Sequence, residues 1–447
     1  MNQPHDTFKD KNILIFGLGL QGGGLGDTQY LIENQYNTRI TDLKTEQELS
    51  AVLESIPNTI QKTLGKHDNK DIDWADIIIK NPGVPEEIDY IQYAKQQNKT
   101  IINSTALFVK HSAIPVIGVT GTRGKTTTAT LIHEILNSQF PGEVILGGNI
   151  PGTSGLQLFN QQKEKKHAVL ELSSFQLAGF HTLQTSPHIA VVTNIYDDHM
   201  DRYQSQQQYI HDKEAITQYQ SSEDHLIINK ENIPENTFTN KTKAKIHTYL
   251  ITDVPRNIKT LLLGNHNLEN IASALKVSEV LGILRDSAIK TISTFKSVPN
   301  RLQTIAEING IEYINDTTST TPIATIKAIK AMKKPTTLIL GGASKQINID
   351  EMIREIATNN IVRHVIILGS QNNKELNKHM DTISNKISET VTSMHKAVET
   401  ATKNTKPGEV VLLSPGFFSF DLFNNEFDRG DQFNEEVKQL KKHTNNN

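Results

Sequence analysis

The chain has 447 residues, a formal net charge of −3 and no cysteine. This length exceeds what one hydrophobic core usually organises, so we expect about two to four domains. The near-neutral charge argues against binding to nucleic acid or to an anionic membrane through a basic surface. The lack of cysteine excludes disulfides, thiolate metal sites and a cysteine nucleophile.

Neither the start of the chain nor its apolar segments predict a membrane protein. Residues Met1–Asp6 lack the apolar core of a signal peptide. No apolar run approaches the roughly 18 residues that span a bilayer. We therefore expect a cytoplasmic protein without membrane insertion.

A glycine-rich turn follows the first predicted strand, Asn12–Phe16. Gly17, Gly19 and Gly22 have the spacing of a dinucleotide-binding motif, and Asp42 follows the second predicted strand. An acidic residue at that position would meet a ribose or a base. The motif is weak by itself, because a tight strand-to-helix turn explains it as well as a nucleotide site does.

Two further strand–turn units follow in this region. Asp76–Ile79 leads into a turn that contains Asn81 and Gly83, and Thr100–Asn103 leads into a helical stretch. Strands that alternate with helices predict a parallel sheet. We therefore expect a first, Rossmann-like α/β domain over residues 1–110.

The most informative stretch is Gly118–Thr128, which follows a predicted strand at Ile114–Ile117 and precedes a predicted helix. Glycines in such a loop let backbone N–H groups face phosphate oxygens, and the helix N-terminus adds positive potential. Lys125 would reach the terminal phosphates of a nucleotide, and the Thr126 hydroxyl would ligate Mg²⁺. Val119 stands where the standard pattern has its first glycine, so a simple turn before a helix is the alternative.

Polar side chains end the next three predicted strands, which are Glu143–Leu146, His167–Leu172 and Ile189–Thr193. Asn149 follows the first, Glu171 lies in the second, and Asp198 and His199 follow the third. Ligands of open parallel sheets bind beyond the carboxyl ends of the strands. A carboxylate and an imidazole beside a phosphate loop favour metal and phosphate chemistry, although a lone buried glutamate is usually a paired structural group.

Two later helices carry further candidates. Residues 206–216 predict a helix that contains Lys213, and an exposed amphipathic surface is the alternative interpretation of that helix. His266, Asn267 and Asn270 cluster around the predicted start of another helix near Ile271. Asparagine there either caps the helix or contacts a base or ribose.

The remaining strands predict a central P-loop ATPase-like domain over residues 111–298 and a C-terminal Rossmann-like domain over residues 299–447. The strands of the last domain are Glu312–Asn315, Thr336–Leu340, Val365–Leu368 and Glu409–Leu413. They alternate with predicted helices, as in a doubly wound sheet. The predicted fold class is therefore α/β with three domains.

The motifs, in this order, resemble those of the Mur ligase family. They are Gly118-x-Thr-Gly-Thr-x-Gly-Lys-Thr, Gly148-Asn-Ile, Glu171-Leu-Ser-Ser-Phe-Gln-Leu, Asn194-x-x-x-Asp-His-Met-Asp-Arg-Tyr, Gly264-x-His-Asn-x-x-Asn270, Arg301, Asn315-Asp316 and Ser414-Pro…Arg429-Gly430. The resemblance covers nearly the whole chain. It implies an ATP-dependent amide ligase of peptidoglycan precursor synthesis that adds glutamate, with D-glutamate expected, to UDP-N-acetylmuramoyl-L-alanine through an acyl phosphate.

The resemblance also implies the site residues. The implied ATP contacts are Gly121, Thr122, Arg123, Gly124, Lys125, Thr126, Thr127, Asn270, Arg301 and Asp316. The implied ligands of two Mg²⁺ ions are Thr126, Glu171, His199 and a carbamylated Lys213, and the implied catalytic residues are Lys125, Glu171, His199 and Lys213. The implied contacts of the UDP substrate and the incoming amino acid are Gly19, Leu20, Gln21, Asp42, Asn81, Gly83, Asn149, Thr320, Lys345, Ser419 and Glu426.

Several positions depart from the family pattern. Asn300 replaces a histidine, Thr318 a lysine, Ala343 an acidic residue and Glu426 an aromatic residue. These changes gather around the implied amino-acid pocket and the ATP phosphates. The resemblance therefore indicates an amide ligase more firmly than it indicates D-glutamate, and L-glutamate or another amino acid stays open.

Other classes of protein explain less of the sequence. A folylpolyglutamate synthase typically lacks the Rossmann-like N-terminal domain. A nucleotide-dependent switch or transport ATPase explains the phosphate loop but not Glu171 or His199, and an NAD-dependent oxidoreductase would depend on the Gly17–Gly22 motif alone. We expect a monomer.

Overall fold

The computed structural model describes residues 4–20, 22–196, 202–203, 205–233, 236–343, 348–369, 374–419 and 422–445. The chain forms two compact units. The first comprises Met1–Ile258 and Glu269–Ile292, and the second comprises Lys259–Leu268 and Ser293–Asn447. Within the described ranges, no helix is both long enough and apolar enough to cross a bilayer.

The first sheet of the first unit has five parallel strands in the order β3-β2-β1-β4-β5. Its strands are β1 (Asn12–Phe16), β2 (Asn37–Asp42), β3 (Gln61–Leu64), β4 (Ile77–Lys80) and β5 (Thr100–Ile102). The helices of this region are α1 (Pro4–Phe8), α2 (Gly23–Glu33), α3 (Ser50–Leu53), α4 (Asn69–Trp74), α5 (Asp89–Gln96) and α6 (Ser104–His111). The central β1 is buried along four of its five residues, as expected for a parallel strand covered on both faces.

The second sheet of this unit has six parallel strands in the order β11-β10-β9-β6-β8-β7. Its strands are β6 (Val116–Thr120), β7 (Val144–Gly148), β8 (His167–Glu171), β9 (Ile189–Val192), β10 (His225–Asn229) and β11 (Lys245–Tyr249). The α-helices between residues 125 and 294 are α7 (Lys125–Gln139), α8 (Gln157–Gln161), α9 (Ser174–Leu183), α10 (Gln206–Gln218), α11 (Asn265–Val280) and α12 (Arg285–Thr294). Short 3-10 helices lie at Thr239–Lys241 and Ile251–Asp253.

The second unit contains a six-stranded sheet in the order β12-β13-β17-β14-β15-β16, parallel except for the β12–β13 pair. Its strands are β12 (Gln303–Ile308), β13 (Ile311–Asn315), β14 (Thr336–Leu340), β15 (Val362–Leu368), β16 (Ile387–Val391) and β17 (Val410–Leu413). Its helices are α13 (Pro322–Ala331), α14 (Asp350–Thr358), α15 (Lys374–Asn377), α16 (Met380–Ile383), α17 (Met394–Asn404) and α18 (Glu426–Asn445). Buried aliphatic side chains pack on both faces of this sheet.

The structure confirms an α/β fold with three mainly parallel sheets. The predicted domain boundaries, at residues 110 and 298, remain predictions. Two predictions near the phosphate loop were wrong. The strand predicted at Ile114–Ile117 is Val116–Thr120, and the helix predicted to begin near Ile271 begins at Asn265. Asn270 therefore lies inside α11 and does not cap it.

Candidate functional site

The phosphate loop occupies the short connection between β6 and α7 in the first unit. Gly121 has a φ of 146°, and a Cβ there would lie 2.0 Å from Thr193 Oγ1. Gly124 has a φ of 85°, and a Cβ there would lie 2.3 Å from Asn270 Oδ1. Only glycine fits both positions, because a side chain would clash and the backbone is left-handed. Gly118 instead lies within β6, where a Cβ would lie 2.7 Å from Pro187 Cγ.

Residues that follow β9 hold the loop in place. The Asn194 side chain accepts a hydrogen bond from Arg123 N at 2.8 Å and donates one to Arg123 O at 2.9 Å. Thr122 Oγ1 accepts from Tyr196 N at 2.9 Å. Thr122 Oγ1 also lies 2.9 Å from the hydroxyl of the buried Tyr209. The loop conformation is thus fixed by the protein itself, as an anion-binding loop requires.

The implied ATP residues of the loop lie together at its junction with α7. The amine of the half-buried Lys125 donates to Thr122 O at 3.1 Å, so it lies over the loop. Thr126 and Thr127 occupy the first turn of α7, where backbone N–H groups have no intrahelical partner. Asn270, from α11, accepts a 3.3 Å hydrogen bond from Thr128 Oγ1 and lies against Gly124. The structure therefore brings Asn270 to the phosphate loop.

Glu171 ends β8 beside the strand that leads into this loop, in register with Val119. Its side chain is buried, and Oε1 accepts a 3.0 Å hydrogen bond from Asn149 Nδ2. Its Oε2 is also buried and has no hydrogen-bond partner in the described part of the chain. A buried carboxylate oxygen without a donor is costly unless a cation or another ligand reaches it. Glu171 and the nearby hydroxyl-bearing loop thus fit an oxygen-ligating divalent cation such as Mg²⁺.

Lys213 reaches the same end of β6 from α10. Its side chain is 1% exposed, and its amine donates to Thr120 Oγ1 at 3.2 Å and to Gly121 O at 3.1 Å. The amine also lies 4.8 Å from the centre of the Tyr209 ring. This position excludes the alternative of an exposed surface lysine. His199, the other implied metal ligand of this region, lies outside the described residues.

The implied substrate residues of the N-terminal region lie at the carboxyl ends of β1, β2 and β4. Gly19 N donates to Asp42 Oδ2 at 2.9 Å, so the buried Asp42 carboxylate holds the glycine turn. A Cβ at Gly17 would lie 3.0 Å from Asn81 Cβ, and Asn81 Oδ1 accepts from Gly83 N at 2.9 Å. The neighbouring Leu20 is 56% exposed. Gln21, implied for the same site, lies outside the described residues.

In the second unit, Asp316 follows β13 and is fully buried. Its Oδ2 accepts hydrogen bonds from Ser319 Oγ at 2.5 Å and Ser414 Oγ at 2.9 Å, and its Oδ1 accepts from Leu302 N at 3.1 Å. Burial raises the pKa of Asp316 to about 6, although these hydrogen bonds and the nearby Arg301 oppose the shift. Sequence analysis did not identify Ser319 or Ser414 as partners of this carboxylate.

Arg301 lies in a turn with unusual backbone geometry. Asn300 and Leu302, on either side of it, have φ values of 66° and 43°. A left-handed leucine is strained, and the Leu302 N–H bond to Asp316 stabilises it. This turn leaves the Arg301 side chain exposed to solvent.

Three other implied residues of this unit lie near the carboxyl ends of β13 and β17. Thr320 lies between β13 and α13, and Glu426 begins α18 and accepts from Thr317 Oγ1 through its backbone oxygen at 2.9 Å. Ser419 follows β17; its Oγ is buried and has no hydrogen-bond partner among the residues that the structure describes. Lys345 falls in the undescribed segment 344–347.

Arg429 organises this region although sequence analysis gave it no role in a site. Its guanidinium is 1% exposed and donates to Thr317 Oγ1 at 3.0 Å, Thr317 O at 2.9 Å and Phe417 O at 3.2 Å. It therefore ties the segments after β13 and β17 to α18. A charged residue is fully buried only where its donors are satisfied, as they are here. The signal in the sequence was the Arg429-Gly430 motif.

Three family models match the chain in order. They are the Mur ligase MurD-like N-terminal domain over residues 11–103, the Mur ligase middle domain over residues 119–256 and the Mur ligase glutamate ligase domain over residues 300–417. Among solved structures, the UDP-N-acetylmuramate-alanine ligase MurC of Thermotoga maritima matches with a TM-score of 0.63 and 16% identity, over 96% of this chain and 99% of that one. At this identity the structural match shows a shared fold alone.

Full-length relatives give the decisive comparison. The chain is 32% identical to the UDP-N-acetylmuramoylalanine--D-glutamate ligase of Roseiflexus sp. (strain RS-1), over 95% of this chain and 97% of that protein. It is 34% identical to the protein of the same name from Borreliella burgdorferi (strain ZS7), over 97% of this chain and 99% of the relative. The chain belongs to the Mur ligase family.

Proposed function

We propose that this protein is an ATP-dependent ligase that joins D-glutamate to UDP-N-acetylmuramoyl-L-alanine. The observation that carries the proposal is the buried Glu171 carboxylate, which lies beside the strand of a preorganised phosphate loop. Its Oε2 has no hydrogen-bond partner among the described residues. The full-length similarity to D-glutamate ligases supports the choice of substrates. We also propose a cytoplasmic location and a monomeric state, on the strength of the family resemblance.

The reaction has two steps. The terminal phosphoryl group of ATP passes to the alanyl carboxylate, so a P–O bond forms on the acceptor and ADP leaves. The amine of D-glutamate then attacks the acyl carbon, an amide bond forms, and phosphate and a proton leave. Phosphorylation is needed because a free carboxylate is a poor electrophile, and the protein's contribution is to neutralise charge and to position the amine.

The loop and Lys125 would bind the phosphates of ATP. Lys125 already lies over the loop, and Gly124 allows the close approach of Asn270. The loop amides at the start of α7 would stabilise negative charge as it develops on the transferring group. In the second unit, Arg301 and Asp316 are the proposed contacts for the adenosine part of ATP.

Glu171 and Thr126 would hold one Mg²⁺, and His199 with a carbamylated Lys213 would hold a second. Bound Mg²⁺ would supply charge neutralisation at the phosphoryl oxygens. The unpaired Oε2 of Glu171 supports the first site. The buried Lys213 amine at Gly121 supports the second, because a carbamate formed there would place two oxygens beside the phosphate loop.

The proposed substrate contacts come from several segments of the chain. Gly19, Leu20, Asp42, Asn81 and Gly83 would contact the UDP part, and Asn149 would contact the sugar-linked acceptor. Thr320, Ser419 and Glu426, with Gln21 and Lys345 from undescribed segments, complete the proposed set. The Ser419 hydroxyl is buried and has no partner within the described ranges, which supports a hydrogen bond to the incoming amino acid.

One assay tests the proposal. Phosphate release is measured with ATP, Mg²⁺ and UDP-N-acetylmuramoyl-L-alanine, in parallel reactions with D-glutamate, L-glutamate, other amino acids or none. We expect release that depends on D-glutamate and equals the amount of UDP-N-acetylmuramoyl-L-alanyl-D-glutamate detected by mass spectrometry. Release without any amino acid would contradict ligase activity, and preference for another amino acid would replace D-glutamate in the proposal.

A further inference from the structure

A buried carboxylate in α2 joins the N-terminal sheet to the segment after β7. Asp27 is 6% exposed, and its Oδ1 accepts hydrogen bonds from Ser154 Oγ at 2.5 Å and from Leu156 N at 3.0 Å. Ser154 is itself buried and accepts from Gln157 N at 3.3 Å, at the start of α8. Neither the sequence motifs nor the proposed chemistry uses Asp27.

Glycines bring the two backbones unusually close around this contact. A Cβ at Gly26 would lie 2.5 Å from Ser154 Cβ, so the site has room for glycine but not for a larger residue. A Cβ at Gly22 would lie 2.9 Å from Gly152 Cα. A Cβ at Gly155 would lie 2.3 Å from Thr105 N. At these three glycines the two parts of the first unit approach each other more closely than a side chain would allow, which leaves little freedom to slide.

Hydrogen bonds continue from this contact to Glu171. Thr153 Oγ1 donates to Gly148 O at 2.8 Å and to Ile150 O at 2.7 Å, which closes the turn that holds Asn149. Asn149 then contacts Glu171 twice, through its backbone N–H at 2.7 Å and its side-chain amide at 3.0 Å. The segment 148–156 thus connects Asp27 to Glu171 through a series of hydrogen bonds.

In the other direction, α2 begins directly after the proposed UDP-binding turn. Gly22 caps the helix, and Gly19 of the same turn is held by Asp42. Any shift of α2 relative to Ser154 would therefore move the UDP-binding turn relative to Glu171. The acceptor carboxylate of the substrate must reach the phosphate loop while its UDP part is bound, so this separation matters for the reaction.

We propose that Asp27 is a positioning residue that fixes the UDP-binding turn relative to Glu171 and thereby aligns the acceptor carboxylate with the phosphate loop. The inference rests on the proposed function. Burial raises the pKa of Asp27, and its hydrogen bonds with Ser154, Leu156 and Ser104 oppose that shift. An asparagine can accept the bonds from Ser154 and Leu156 through its own carbonyl oxygen, whereas an alanine can accept neither.

Four variants of the full chain test this role. Asp27→Ala removes the acceptor, Gly26→Ala pushes α2 from Ser154 without touching Asp27, and Asp27→Asn keeps the acceptor. Glu33→Ala is the matched control, since Glu33 makes an exposed 3.4 Å contact with Asn160 between the same two helices. The affinities for UDP and for ADP show whether the two proposed nucleotide sites are intact. The thermal midpoint shows whether the fold is intact.

We expect Asp27→Ala and Gly26→Ala to lower kcat for D-glutamate ligation by about tenfold to a hundredfold, as expected for misalignment of reactants. UDP and ADP affinities should stay within about twofold, and Asp27→Asn and Glu33→Ala should resemble the wild type. Hydrogen exchange at residues 152–156 should accelerate in the first two variants only.

Two results would overturn the inference. One is ligation by Asp27→Ala at the rate of Glu33→Ala. The other is a parallel loss of UDP affinity, ADP affinity and thermal midpoint, which would show a structural role alone. Failure of the wild type to ligate D-glutamate would refute the proposed function instead. In that case, unchanged hydrogen exchange at residues 152–156 in Asp27→Ala would show that Asp27 does not fix this segment.

Discussion

The amine of Lys213 donates to the carbonyl oxygen of Gly121, with 3.1 Å between nitrogen and oxygen. This contact joins α10 to the first residue of the phosphate loop, although the two are far apart in the sequence. A buried lysine is uncommon, and here it lies beside neutral oxygens at a site proposed for anionic phosphates. The two groups are therefore the natural place to begin testing the site.

Lys213→Ala should remove nearly all ligation, because the proposed carbamate and its metal contacts are lost. A small carboxylate such as acetate should restore part of the rate by occupying the vacated space. Phosphate release with and without acetate measures both effects, and Lys243→Ala, at an exposed position, is the control. Full activity of Lys213→Ala would show that the lysine only packs.

Lys125→Ala should lower kcat by at least about a hundredfold, because it removes a positive charge over the phosphate loop. The fold should survive, since Lys125 is only half-buried and its amine donates to a carbonyl of the loop itself. Single-turnover phosphate release and thermal unfolding measure the two effects. Unimpaired turnover would refute its role at the phosphates.

Glu171→Gln separates function from stability. The amide can still accept from Asn149 but replaces the unpaired carboxylate oxygen with a neutral donor, so it should raise the Mg²⁺ concentration needed for half-maximal activity. The free energy of unfolding should stay the same or rise slightly, because a neutral amide is less costly to bury than a carboxylate. Mg²⁺ titrations and denaturant unfolding test this. A destabilised variant with unchanged Mg²⁺ dependence would mean that Glu171 is a structural group.

Asp316 should make stability depend on pH. Its pKa in the folded chain is raised to about 6 from 3.8, so the folded state binds more protons than the unfolded state between these values. Stability should therefore fall as pH rises through this window, by about 3 kcal/mol at most. Asp316→Asn should lack this slope. Denaturant unfolding of both proteins between about pH 4 and pH 7 measures the difference, and parallel pH profiles would refute the assignment.

The sequence predicted only two of the six edge strands, β5 and β7. β3, β11, β12 and β16 lie at sheet edges and were missed. An edge strand is partly exposed, so it lacks the continuous apolar run that marks a parallel strand buried on both faces. β10 was also missed, although it is buried along four of its five residues.

The candidate site was predictable where motifs are contiguous. The phosphate loop and Glu171 were found because glycine, lysine and acidic residues occur at strand ends. The β6 boundary was misplaced because glycine at position 118 suggests a loop. Gly118 in fact lies within the strand, where close packing against Pro187 leaves no room for a side chain. Arg429 and Asp27 were missed because their partners are distant in the sequence, and only the fold brings them together.

Glu426 gives the most direct test of amino-acid specificity. It stands at the start of α18 where the family resemblance leads us to expect an aromatic residue. Glu426→Phe should change the KM for the incoming amino acid while leaving the KM for ATP unchanged, because the substitution alters the charge and shape of the proposed pocket. Saturation curves for D-glutamate and L-glutamate measure the effect, with Glu435→Phe, an exposed position further along α18, as the matched control. Identical curves for Glu426→Phe and the wild type would remove Glu426 from the pocket, whereas a change in the preferred enantiomer would identify it as a determinant of specificity.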